Sequence, residues 1–145
     1  MAEYLVPAAE NVGYRSPITL ITSIGCPKGY VIHREGSGIL TLRGITNGCQ
    51  QFARYFVQYS GNIAVPTGGT VGEISVGMTV SGEEETGTIA RVTPAAVSEF
   101  FNVSAQKYLT VPKGCCYNIA FENVSDSQED ITVDPQFNVS VIRVA

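Results

Sequence analysis

Residues 108–121 (YLTVPKGCCYNIAF) constrain the fold more than any other stretch of the chain. Upstream of Pro112-Lys113-Gly114, Tyr108 and Thr110 alternate with Leu109 and Val111. Downstream, Cys116, Asn118 and Ala120 alternate with Tyr117, Ile119 and Phe121. Successive side chains of a strand point to opposite faces, so a period-two pattern rich in Val, Ile, Tyr and Phe reads as strand, not helix. Proline presets the backbone for a turn, and glycine accepts conformations that a Cβ resists. The pattern predicts two strands paired as a hairpin near the centre of an all-β domain.

The remaining chain repeats this grammar. Residues 18–24 (ITLITSI) form a β-branched run, and shorter strands are expected at 30–34 and 39–45 around a Gly36-Ser37-Gly38 turn. Asn47-Gly48 is a strong hairpin signal, since both residues tolerate positive φ. It leads into residues 51–60 (QFARYFVQYS), which alternate Phe52, Arg54, Phe56 and Gln58 against Ala53, Tyr55, Val57 and Tyr59. This region reads as a β-meander. Ile74, Val76, Met78 and Val80 place one apolar face on a further strand, and Glu83-Glu84-Glu85 reads as a solvated turn. Thr93-Pro94 supplies an N-cap and a first-turn proline, which predicts one short helix near 94–100. Two final strands are expected around 131–133 and 137–144.

Eight to ten short strands separated by regular turn signals imply a β-sandwich or barrel. Loops of unequal length with one helical insertion favour a single-domain jelly-roll β-sandwich over residues 16–145. Residues 1–15 (MAEYLVPAAENVGYR) lack clean periodicity and read as an N-terminal arm or tail. Tyr4, Leu5 and Val6 are the candidate partner-binding residues of that arm. On the strand at 51–60, alternate aromatics suggest core on one face and contact on the other, with Tyr55, Val57 and Tyr59 the candidate subunit interface.

Composition narrows the function. Of 145 residues, only 15% are charged while 44% are hydrophobic, so a surface poor in charge is expected to be covered by a partner. A net charge of −4 with scattered Lys and Arg argues against nucleic acid, which needs clustered basic groups. No apolar run approaches the roughly 18 residues of a membrane span. The start has neither a basic n-region nor an apolar h-region, so no signal peptide is expected and folding in a cytoplasm is.

Chemistry is sparse. His33 is the single histidine, no G-x-S-x-G elbow supplies a nucleophile, and Gly68-Gly69 does not precede a helix as a phosphate loop would. Cys26, Cys49, Cys115 and Cys116 include no C-x-x-C pair and read as soft core fillers. Asp126, Glu129, Asp130 and Asp134 lack the spacing of an EF-hand. No catalytic, cofactor or metal set is expected, and the chain reads as a non-enzyme. Asn-Val-Ser recurs at Asn102, Asn123 and Asn138, which matters only on a secretory route. Scattered tyrosines leave a glycan-binding reading open, though Trp is absent.

Residues 101–104 (FNVS) and 108–121 resemble the Pro-Gly-aromatic strand turn of tumour-necrosis-factor-like and complement-like trimeric jelly rolls. A wider set of motifs covers most of the chain: residues 32–38 (IHREGSG), 42–45 (LRGI), 61–69 (GNIAVPTGG), 93–97 (TPAAV), 101–103 (FNV), Val111-Pro112, 114–117 (GCCY) and the final RVA. Together they look like small virion proteins of tailed phages and prophages of intestinal bacteria. That resemblance implies a structural subunit of the virion, a capsid decoration or head-fibre protein. Its partners would be copies of itself in a homotrimer and the major capsid protein or another virion protein. The alternative is a carbohydrate- or receptor-binding module of a phage fibre or tip, recognising surface glycans.

Overall fold

Ala53, Tyr55, Val57, Tyr59 and Ile63 are all buried, while Phe52, Arg54 and Gln58 are exposed, so the predicted alternation is realised along the longest strand, β6 (Phe52–Ala64). In the computed structural model, which describes residues 2–25 and 29–144, this strand is the spine of a seven-stranded sheet. Along one edge of β6 runs β10 (Phe101–Pro112), antiparallel from Phe101 opposite Ile63 to Pro112 opposite Phe52. The other edge is shared by β13 (Asn138–Arg143) and β12 (Ile131–Val133). Beyond β13 lie β1 (Ala2–Leu5) and then β3 (Ile21–Ile24); beyond β12 lies β2 (Glu10–Val12). The facing six-stranded sheet orders β4 (Val31–His33), β5 (Ile39–Arg43), β11 (Cys116–Asn123), β7 (Ile74–Val80) and β8 (Glu83–Glu84), with β9 (Ala90–Val92) also on β7.

The chain alternates between the sheets, which makes this a jelly-roll sandwich. Two consequences correct the sequence-based expectations. β10 and β11 do not form a hairpin: they belong to opposite sheets, and residues 113–115 cross between them. Asn47-Gly48 likewise lies on a crossing, from β5 to β6, so the expected meander is absent. The turn chemistry itself is realised, with Gly48 and Gly114 at φ of +60° and +80°. The two crossings clasp each other at one end of the sandwich. Gly44 N donates to Cys115 O at 2.8 Å, Gly114 N to Gly44 O at 3.0 Å, and Lys113 N to Gln51 O at 2.8 Å. A Cβ on Gly44 would lie 2.1 Å from Pro112 O, so only glycine permits this approach.

The short helix near 94–100 does not form. Ser98 takes a φ of +57°, its N–H donates to Val65 O at 2.8 Å, and its hydroxyl meets that of Thr67 at 3.0 Å. A segment this short gains too few internal bonds to meet the cost of helix nucleation, and docking against the 65–67 loop prevails. The helical element among the described residues is a 3-10 turn at Thr86–Thr88.

Residues 2–12 are built into the sandwich, which corrects the reading of 1–15 as an arm. Ala2 pairs with Val141 and Tyr4 with Val139, so β1 is flanked on both sides. The core centres on Tyr59, Phe121 and Phe137, with ring centroids 5.3 to 6.4 Å apart. Aromatic groups in such offset and tilted arrangements contribute about 0.5–1.5 kcal/mol per pair beyond their burial. The Tyr59 hydroxyl reaches Val76 O at 3.0 Å and also Thr88 O, tying the two sheets through the core.

Candidate interaction surface

Every second residue of β6, β10 and β13 points away from the core, and the register stacks these residues into cross-strand rows. Ile142 lies opposite Phe56, and Phe56 lies opposite Tyr108. The Phe56 and Tyr108 rings are 5.0 Å apart between centroids, and the Arg54 guanidinium sits 5.4 Å from the Tyr108 centroid. Phe52, Tyr108 and Val144 are 52%, 56% and 47% exposed, so an apolar field occupies this end of the outer face. Towards the other end the same strands present Gln58 and Gln106, Ser60 and Ser104, then Asn62 and Asn102. On β6, β10 and β13, Arg54 is the charged residue among these outward positions.

The residues singled out from sequence lie elsewhere. Tyr55, Val57 and Tyr59 are 0–1% exposed and point into the core. The strand was legible, but these three side chains belong to its inward face, and the outward face carries exposed Phe52, Arg54 and Gln58. Tyr4 and Val6 are each 2% exposed and help build the core; Leu5 is partly exposed on the outer face. Neither tyrosine in the strand nor Tyr4 is left for a partner.

Other candidates do not converge. Among the described residues no three His, Cys, Asp or Glu side chains could hold a metal ion. Glu84 instead pairs with Arg15 at 2.8 Å and Glu85 with Lys107 at 3.3 Å. Cys49, Cys115 and Cys116 are exposed free thiols rather than core fillers, a consequence of the end-of-sandwich crossings; Cys26 lies outside the described residues. Asn123 is fully buried, donating to Val12 O and Glu129 O at 3.0 and 2.7 Å, so its Asn-Val-Ser motif is structural.

His33 acts as a clasp between the outermost strands β3 and β4. Its Nε2 meets Ser37 O at 2.7 Å, its Nδ1 meets Thr22 Oγ1 at 3.2 Å, and Thr22 N donates to Glu35 Oε1 at 3.0 Å. The Thr22 hydrogen bonds hold the Glu35 carboxyl below its usual pKa. With Nε2 committed to a backbone carbonyl, this histidine is placed for holding the sheets together rather than for proton transfer to a substrate.

No protein-family model and no curated protein matches this sequence. Solved structures do share its fold. The chain superimposes on the Eiger TNF of S. frugiperda with a TM-score of 0.70 at 10% identity, covering 99% of this chain and 91% of the other. It superimposes on the globular domain of zebrafish complement 1qA protein with a TM-score of 0.63 at 13% identity, covering 99% and 96%. The chain therefore shares the jelly-roll fold of these two structures.

Proposed function

We propose that the chain is a non-enzymatic structural subunit that assembles as a homotrimer through the outer face of its seven-stranded sheet and decorates a phage head. The Ile142–Phe56–Tyr108 row carries this reading. An apolar field with exposed aromatics, continuous with a band of neutral amides and hydroxyls, is a surface suited to burial against protein. Neutrality matters for such a contact. A threefold contact is head-to-tail, so each part of the face is buried against a different part of the neighbour; an unpaired charge is costly to bury there, whereas Gln58, Gln106, Asn62 and Asn102 can both donate and accept. Arg54 sits beside Tyr108 and keeps its charge over a ring face rather than isolated.

The fold shared with the tumour-necrosis-factor-like and complement-like domains supports threefold assembly, since the sequence resembles the trimeric jelly rolls of that type. The motif resemblance to small virion proteins supplies the setting on the particle, with the major capsid protein or another virion protein as second partner. Light scattering after size exclusion tests the assembly. A mass three times that of the 15.5 kDa chain supports it, and a monomer at every concentration refutes it. Co-sedimentation with heads that lack the protein tests the virion setting separately.

A further inference from the structure

The opposite outer face, that of the six-stranded sheet, carries a groove of about 410 Å³. Its floor is Thr79, Asn118 and Ala120 on the adjacent strands β7 and β11. Pro17 and Ile39 wall one side, the Ser81-Gly82 turn closes the other, and Glu122 stands at one end. We infer that this groove is a binding site for a neutral pyranose unit of a glycan.

The chemistry of the lining selects that class. Glu122 receives one long hydrogen bond, from Thr79 Oγ1 at 3.4 Å, which leaves most of an acceptor-only carboxylate unsatisfied by described residues. Asn118 accepts from Thr41 Oγ1 at 2.8 Å through Oδ1, and its amide N–H groups donate to no described side chain or backbone atom. A ligand carrying adjacent hydroxyls can donate to Glu122 and accept from Asn118, while its C–H face lies against Pro17, Ile39 and Ala120. A cation is disfavoured because Arg15 already pairs with Glu84 at 2.8 Å beside Glu122. An anion is disfavoured by Glu122 itself. Arg15 holds its place with a φ of +64°, its N–H donating to Asn123 O at 2.8 Å, so the Pro17 wall is anchored to β11. Because the groove and the proposed trimer face are on opposite sides of the sandwich, trimer formation leaves the groove open, and the two readings stand or fall separately.

The test is titration of the intact protein with methyl α- and β-pyranosides of glucose, galactose, mannose and N-acetylglucosamine, followed by amide NMR shifts. The expected result is saturable shifts on β7 and β11 for at least one sugar. Glu122→Ala and Asn118→Ala should each weaken that binding by roughly tenfold, the loss of about one good hydrogen bond. Ile39→Arg, at a 46% exposed position that the fold does not need, should block it with the melting temperature and oligomeric mass unchanged. No saturable shift with any of these sugars, or binding that survives Ile39→Arg, overturns the inference.

Discussion

Gly61 and Phe137 share one place in the core: a Cβ at position 61 would lie 2.5 Å from the Phe137 ring and 2.7 Å from its Cα. The long strand β6 therefore carries its gap where the loop before β13 inserts an aromatic ring. Gly61→Ala is expected to destabilise the fold by about 1–3 kcal/mol through overpacking. Urea denaturation measures it, and combining it with Phe137→Leu should recover part of the loss.

Tyr59 spans both sheets through its hydroxyl. Tyr59→Phe keeps the ring but leaves the carbonyls of Val76 and Thr88 short of a donor in the core. A loss of about 1–3 kcal/mol is expected. Burial pushes the Tyr59 hydroxyl pKa well above its ordinary range, so the loss should not vary between pH 6 and about pH 9.

Tyr108→Glu and Phe56→Glu place a charge in the apolar field that the proposed trimer contact would bury. Each should reduce the oligomeric mass to that of the monomer while leaving the far-UV circular dichroism intact. Retention of the wild-type mass in both variants would remove this face as the contact.

Deleting residues 2–12 removes β1 and β2 together with buried Tyr4, Val6 and Val12. The expected outcome is an unfolded or aggregating chain, whereas loss of a dispensable arm would leave the melting temperature unchanged. Tyr4→Ala alone should cost about 3–5 kcal/mol, the range for aromatic truncation in a core.

Two carboxylates give opposite pH dependences. Burial pushes the Glu122 pKa up, opposed by Arg15 and Thr79 and assisted by Glu84. The folded state then binds its proton more tightly than the unfolded state, so its contribution is favourable at low pH and is lost as pH rises from 4.5 through the folded value. Glu122→Gln should gain stability relative to wild type across that window. Glu35 is held down by Thr22, so its contribution is present above 4.5 and is lost as pH falls below it. Glu35→Gln should differ from wild type at neutral pH and converge with it in acid, as followed by thermal melts across the acid range.

Strand content was legible in the sequence because alternation is local. The inward set on β7, Ile74, Val76 and Met78, is buried as its spacing predicts. What the sequence left open was which sheet each strand joins. Pro112-Lys113-Gly114 and Asn47-Gly48 specify reversal of the chain, yet reversal within one sheet and reversal across a sandwich use the same turn residues. The choice is made by long-range contacts such as Gly44 N to Cys115 O. β1 went unseen because four residues carry too little periodicity, and its identity as a strand comes from β13 and β3 on its two sides. The apolar row on the outward face was missed for a related reason. Arg54 and Gln58 mark an outward side by their polarity, but Phe56 and Tyr108 meet only through the β6–β10 register.

The position of β13 has a consequence for how the molecule is made. Formed from Asn138–Arg143, it sits between β6 and β1, so the final strand of the fold is a central plank and not an edge. During synthesis the β6–β10 pair and the β1–β3 pair can each assemble, but the place between β6 and β1 in the sheet stays empty until this segment is made. High sequence separation of this kind slows folding, and the waiting halves expose unpaired strand edges. A nascent chain stalled before Asn138 should be a strong chaperone substrate, and emergence of Asn138–Arg143 should commit the whole sheet in one step.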